Sequence, residues 1–121
     1  MIGIGLDVVE LERFRLALGR TPGLRRRLFR PEERAYADLR LDPTERYAVR
    51  FAAKEAVMKA LGCGLGAIAM YDIEVVRAES GAPSVQLHGT ARGRADALGV
   101  TQWMLSLTHT TRAAQAIAVA L

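Results

Sequence analysis

Apolar residues alternate with polar or small ones at both ends of the chain and follow a helical repeat in the middle. Alternation predicts strands at residues 2–9, 72–78, 84–87, 102–108 and 113–121. The 3.6-residue repeat predicts helices at residues 11–19, 24–29, 31–39 and 90–98. It also predicts a long helix that begins at Asp42 or Thr44 and that Gly62 and Gly64 end. Helices come early and strands cluster late, so we predict an α+β fold and one domain over residues 1–121.

The long helix carries charges among residues that are apolar in most directions. On a helical wheel, Arg50 and Lys54 lie within a quarter turn of Arg46, whereas Glu55 and Lys59 lie on the opposite side. Glu55 and Lys59 are therefore predicted to pair one turn apart, on a different side from Lys54. Two interpretations remain open at this point: an ordinary surface ion pair, or a carboxylate and an ammonium that serve a metal and a phosphate.

The opening strand supplies a second carboxylate. Its alternation places Gly3, Gly5 and Asp7 on one face and large apolar residues on the other. Bare backbone beside a carboxylate would let a bulky ligand approach closely. The alternative is that the glycines accommodate a neighbouring element and that Asp7 caps the helix that begins near Leu11.

Composition narrows the functional classes. The 121 residues carry a formal charge of +4 and a pI of about 9.8, which favours an acidic partner or a phosphorylated ligand. The single cysteine, Cys63, excludes an intrachain disulfide, so we expect a reducing, cytoplasmic setting. We expect no signal peptide and no membrane span. Neither His88 nor His109 has a partner at metal-ligand spacing, although His109 could bind an anion or transfer a proton.

Four segments in this order resemble the holo-[acyl-carrier-protein] synthase family of phosphopantetheinyl transferases. They are GIGLDVVELER at residues 3–13, RFAAKEAVMKALG at 50–62, DIEV at 72–75 and LSLTHT at 105–110. The resemblance implies a phosphopantetheinyl transferase fold, with the long helix packed on a mainly antiparallel sheet. It also implies a homotrimer whose sites lie between neighbouring subunits.

The resemblance implies a reaction and roles for individual residues. The phosphopantetheine arm of coenzyme A would pass to a serine of apo acyl carrier protein in fatty acid biosynthesis, releasing adenosine 3′,5′-bisphosphate. Asp7 and Glu55 would hold Mg²⁺, and Lys59 would neutralise a phosphate oxygen, so these three are the predicted catalytic residues. Lys54 would be structural or lie at an interface. The predicted coenzyme A ligands are Arg50, Lys59, Gly62, Pro83, His109 and Thr110.

Basic residues cluster early in the chain. By themselves they indicate a solvated helix face, but the resemblance implies that Arg13, Arg20 and Arg25 dock an acidic acyl carrier protein. A small nucleic-acid-binding module is the competing class. We predict no nucleic acid partner, because aromatic residues are few and no RNA-binding motif is present. A purely structural trimer would leave Asp7 and Glu55 unexplained.

Overall fold

The secondary structure follows the order that the sequence predicts. The computed structural model describes residues 1–64 and 66–121. Its helices are α1 (Leu11–Arg20), α2 (Leu24–Leu28), α3 (Pro31–Ala37), α4 (Thr44–Ala60) and α5 (Gly89–Leu98). Its strands are β1 (Gly3–Glu10), β2 (Ile73–Arg77), β3 (Pro83–Leu87), β4 (Trp103–His109) and β5 (Ala113–Ala120), and a short 3-10 turn, Met70–Asp72, precedes β2. The predicted α+β class is confirmed.

The long helix α4 packs on an antiparallel sheet of order β1-β5-β4. The strand β5 lies in the middle, and its inward residues are small alanines at positions 114, 116, 118 and 120, each of them buried. Small side chains let a helix lie close to a sheet without voids or overlap. The predicted packing of the long helix on an antiparallel sheet is therefore confirmed, and the predicted hairpin β2-β3 forms a second, two-stranded sheet.

Gly3 and Gly5 bring β1 into direct backbone contact with α4. A Cβ added at Gly5 would lie 1.8 Å from the carbonyl oxygen of Ala56, and one added at Gly3 would lie 1.9 Å from that of Ala60. No side chain fits at either position. The interpretation of these glycines as an opening for a ligand is therefore wrong, and the alternative, that they accommodate a neighbouring element, is correct.

The two ends of α4 are fixed by local hydrogen bonds. At its start, the Asp42 carboxylate accepts a hydrogen bond from the backbone N–H of Thr44 at 3.1 Å. At its end, Gly62 has φ of 68°, and the N–H groups of Gly62 and Cys63 donate to the carbonyls of Lys59 and Met58, each at 3.0 Å. This is a Schellman motif, which favours glycine at the left-handed position. The helix therefore ends at Ala60, with Leu61 as its C-cap and Gly62 as the next residue, which agrees with the end that the glycine predicts.

Lys54 is the centre of a buried polar network. Its side chain is 0 % exposed, and its Nζ donates to Glu33 Oε1 at 2.8 Å and to the carbonyls of Met70 and Ile73. Glu33 also accepts the backbone N–H of Val75 at 3.1 Å. Burial lowers the pKa of Lys54, while the Glu33 carboxylate opposes that shift. The network ties α3 and β2 to α4, so the structural role expected for Lys54 is confirmed.

Candidate active site

The crossing of β1 and α4 brings two predicted catalytic residues into contact. Lys59 Nζ lies 3.1 Å from Asp7 Oδ1 and donates to the carbonyl of Leu6 at 2.9 Å. Lys59 thus reaches across to the strand. The predicted pairing of Lys59 with Glu55 is wrong, because the glycines of β1 bring Asp7 closer to the ammonium than the helical neighbour is.

Glu55 lies beside this pair and is destabilised as an anion. Burial raises the pKa of Glu55, the negative charge of Asp7 raises it further, and the charge of Lys59 opposes both. Two carboxylates that repel each other fit a divalent cation, which would relieve the repulsion. Within residues 1–64 and 66–121, no group of three or more His, Cys, Asp or Glu side chains is placed to hold a metal. Asp7 and Glu55 would therefore hold Mg²⁺ only together with oxygens from outside the chain, such as phosphate and water.

Asp7 and Glu55 open into a cleft of about 830 Å³, called here the carboxylate cleft. The guanidinium-bearing side chains of Arg13 and Arg20 line it on the α1 side. Its apolar lining includes Phe14, Leu16, Ala17, Leu24, Leu28 and Phe51. The cleft therefore combines an oxygen-rich centre with a surface that is both basic and apolar.

Arg25, the third predicted docking residue, lies elsewhere. Its Cζ is 5.2 Å from the centroid of the Tyr47 ring, and its guanidinium is 3.8 Å from the Asp38 carboxylate. The short helix α2 turns Leu24 and Leu28 toward the carboxylate cleft and Arg25 away from its lining. The structure thus brings two of the three predicted docking arginines together.

A second cleft, of about 430 Å³, contains three of the predicted coenzyme A ligands. Arg50, Pro83 and His109 line it, and it shares no lining residue with the carboxylate cleft. We call it the arginine cleft. His109 Nε2 lies 3.2 Å from the Glu45 carboxylate. Within one chain, the structure therefore separates the predicted metal ligands from these predicted nucleotide ligands.

Thr110 and Gly62, the remaining predicted ligands, have structural roles in the chain itself. The Thr110 hydroxyl accepts hydrogen bonds from the backbone N–H groups of Arg112 and Ala113, both at 3.1 Å, in the turn between β4 and β5. Gly62 supplies the left-handed residue that ends α4. Both residues are therefore explained by the fold itself.

Most of the positive charge of the arginine cleft comes from residues that the sequence did not indicate. Arg40, Arg46 and Arg77 line it together with Arg50 and the ring of Tyr36. Arg46 and Arg50 are one helical turn apart, a spacing that predicts a shared face. Arg77 stands at the end of β2, and nothing in its sequence neighbourhood indicates that its side chain joins this cleft.

The family follows from the comparison with known proteins. A family model described as the 4′-phosphopantetheinyl transferase superfamily matches residues 3–120. The chain belongs to this superfamily. A holo-[acyl-carrier-protein] synthase from Beutenbergia cavernae is 50% identical over 120 residues, which are 99% of this chain and 97% of that protein. One from Moorella thermoacetica is 45% identical over 98% of this chain and 93% of that protein.

Solved structures of holo-[acyl-carrier-protein] synthases share the whole phosphopantetheinyl transferase fold. That from Neisseria meningitidis has a TM-score of 0.88 at 31% identity, covering 100% of this chain and 99% of its own. The Helicobacter pylori protein in complex with coenzyme A has a TM-score of 0.86 at 27% identity, covering 98% and 99%. The resemblance drawn from the four sequence segments is therefore confirmed. Among residues 1–64 and 66–121, no helix is both long and apolar enough to cross a membrane.

Proposed function

We propose that this phosphopantetheinyl transferase moves the phosphopantetheine arm of coenzyme A to a serine hydroxyl of apo acyl carrier protein. The observation that supports the proposal best is the pair of carboxylates, Asp7 and Glu55, that lines a cleft together with arginines while Lys59 contacts Asp7. The relatives named holo-[acyl-carrier-protein] synthase, and the related structure in complex with coenzyme A, support the same substrates. We assign the reaction to the reducing cytoplasm and to fatty acid biosynthesis, as the family resemblance implies.

Asp7 and Glu55 are the residues that would hold Mg²⁺. The ion would supply charge neutralisation for the pyrophosphate of coenzyme A. The raised pKa of Glu55 supports this role, because a carboxyl that is destabilised as an anion gains most from a nearby cation. The exposed ammonium of Lys59 contacts Asp7, which lines the carboxylate cleft, so Lys59 would meet a phosphate that binds beside Asp7.

The transfer itself exchanges one phosphorus–oxygen bond for another. The serine oxygen forms a bond to the phosphorus that carries the pantetheine arm, and the bond from that phosphorus to the bridging oxygen breaks. Adenosine 3′,5′-bisphosphate leaves with the bridging oxygen, and the serine proton passes to Asp7 or to water. Lys59 stabilises the charge that develops on the departing phosphate, so the chain contributes positioning and electrostatics rather than a covalent intermediate.

We further propose that a neighbouring subunit completes the site. The carboxylate cleft and the arginine cleft are separate within one chain, although both contain predicted ligands of one substrate. The outer face of the β1-β5-β4 sheet supports assembly, because it exposes large apolar side chains: Ile2, Ile4, Leu6, Val8, Met104 and Ile117. An apolar face of this kind is typical of a protein–protein interface. The homotrimer implied by the resemblance would cover it, and light scattering of the purified protein would measure the subunit number.

Arg13 and Arg20 are the proposed docking residues for acyl carrier protein. They line the carboxylate cleft together with the apolar side chains of Leu16, Leu24 and Leu28. Acyl carrier proteins are acidic, so complementary charge would speed their encounter with this surface. Arg25 is proposed only as a peripheral contact, because its guanidinium already contacts Asp38 and Tyr47.

Release of the nucleotide product tests the proposed reaction. The chain is incubated with coenzyme A, Mg²⁺ and apo acyl carrier protein, and adenosine 3′,5′-bisphosphate is measured by chromatography. We expect release of the bisphosphate only when coenzyme A, Mg²⁺ and apo acyl carrier protein are all present. Asp7→Ala or Glu55→Ala should abolish this release while the variant protein stays folded. Release at the wild-type rate in either variant would remove that residue from the site, and no release by the wild type would contradict the function.

A further inference from the structure

Tyr36 lies among three cations of the arginine cleft. The Cζ atoms of Arg46, Arg50 and Arg77 are 3.9, 4.4 and 4.5 Å from the centroid of its ring. The first two arginines come from α4 and the third from β2, whereas Tyr36 belongs to α3. The Tyr36 backbone takes part as well, since its carbonyl accepts a hydrogen bond from Arg46 Nη1 at 2.7 Å. One aromatic ring therefore joins guanidinium groups from two different elements.

These guanidinium groups lack a carboxylate partner. In the part of the chain that the structure describes, none of the three forms an ion pair with Asp or Glu. Arg50 is only 6 % exposed; its Nη1 donates to the carbonyl of Arg46 at 3.4 Å, whereas its buried Nε has no hydrogen-bond partner among the described residues. A buried guanidinium that has no carboxylate beside it is costly, and an anion bound in the cleft would offset part of that cost.

The ring offsets the mutual repulsion of the cations. Any two of the Cζ atoms can be no farther apart than the sum of their distances to the centroid, which is less than a Debye length of roughly 10 Å at 0.1 M salt. The negative face of an aromatic ring attracts a guanidinium. A carboxylate paired with these arginines would attract them more strongly, but it would also repel an incoming phosphate and occupy the same donors. Glu45, whose carboxylate also lines the cleft, contacts His109 instead. An aromatic ring does neither.

We propose that Tyr36 is a positioning residue that holds Arg46, Arg50 and Arg77 together as a ready-charged site for a phosphate group of the coenzyme A nucleotide. The inference rests on the proposed function, which makes a nucleotide phosphate the substrate group. The face of the ring, and not its hydroxyl, is the feature that carries this role.

The test compares rings of the same shape and opposite charge distribution. Tyr36→Phe keeps the negative face, and pentafluorophenylalanine at position 36 reverses it with nearly the same volume. Tyr36→Leu removes the ring. Adenosine 3′,5′-bisphosphate is titrated into each protein by calorimetry. We expect near wild-type affinity for Tyr36→Phe and a loss on the order of tenfold for the fluorinated and leucine variants. The Michaelis constant for coenzyme A should rise in parallel, with kcat and the Michaelis constant for carrier protein unchanged.

Equal affinity of the phenylalanine and pentafluorophenylalanine proteins would overturn the role of the ring face. So would wild-type affinity in Tyr36→Leu; if the leucine variant does not fold, the fluorinated protein decides. Weak binding by Tyr36→Phe would assign the effect to the hydroxyl and also overturn the inference. Bisphosphate binding needs no transfer, so a wild-type protein that binds the nucleotide but does not modify a carrier would contradict the proposed function alone.

Discussion

Gly5→Ala tests whether the active site depends on backbone contact between β1 and α4. The added Cβ would lie 1.8 Å from the Ala56 carbonyl oxygen and 2.9 Å from the backbone nitrogen of Ala60. Real side chains essentially never approach within 3.0 Å, so strand and helix must move apart by more than about 1 Å. Asp7, two residues along β1, would move away from Glu55 and Lys59 with the strand.

The expected magnitude follows from the rigidity of the neighbour. Overpacking a core costs about 1–3 kcal/mol, and here the obstacle is helix backbone that cannot change rotamer, so we expect about 3 kcal/mol. For a chain of this length, that free energy corresponds to a fall in Tm of roughly 10 °C. A displacement of about 1 Å at the site would also lower kcat by about 10²-fold.

Thermal unfolding followed by circular dichroism measures the stability, and bisphosphate release measures the rate. Gly19→Ala is the matched control, because a Cβ added in α1 at Gly19 meets nothing within 4 Å. That variant should be as stable as the wild type or more stable by about 0.5–1 kcal/mol. A Gly5→Ala protein with Tm within roughly 2 °C of the wild type would show that β1 and α4 tolerate a side chain at this position.

Three further predictions concern charges. The raised pKa of Glu55 means that the folded chain binds the Glu55 proton more tightly than the unfolded chain does, so ionisation of Glu55 destabilises the fold as pH rises. Glu55→Gln should therefore raise Tm at pH values above 4.5, the ordinary pKa of a glutamate, and not below it. An equal gain in Tm at both pH values would contradict this prediction. Lys54→Met leaves Glu33 buried and unpaired, and should lower the free energy of unfolding in urea by about 3–5 kcal/mol. If the losses of Lys54→Met and Glu33→Gln simply add in the double variant, the two residues are not coupled. Arg13→Glu with Arg20→Glu should raise the Michaelis constant for carrier protein alone; a parallel change for coenzyme A would exclude a carrier-specific surface.

Local patterns in the sequence were sufficient to predict the helices and strands, and the faces of the strand and helix that carry Asp7 and Glu55. Alternation and helical spacing determine which residues one element presents to one side, so Asp7 and Glu55 could be placed on defined faces of β1 and α4. Gly62 marks the end of α4 because the Schellman turn there is a local structure. These features depend on neighbours in sequence, which a single chain reveals.

Contacts between elements could not be obtained in this way. The choice of Lys59 between Glu55 and Asp7 depends on how closely α4 crosses β1, and the gathering of Arg77 with Arg46 around Tyr36 depends on where three elements meet. Glu33 shows the same limitation, because its buried contact with Lys54 spans 21 residues of sequence. Spacing within one element does not determine such distances.

The mass of the carrier protein provides the most direct test of the central claim, that the chain transfers phosphopantetheine. Apo acyl carrier protein is incubated with the chain, coenzyme A and Mg²⁺, and its intact mass is measured. We expect a gain equal to one phosphopantetheine group on the acceptor serine. The gain should be absent when that serine is replaced by alanine and absent with the Asp7→Ala enzyme. An unchanged carrier mass after prolonged incubation with folded wild-type protein would contradict it.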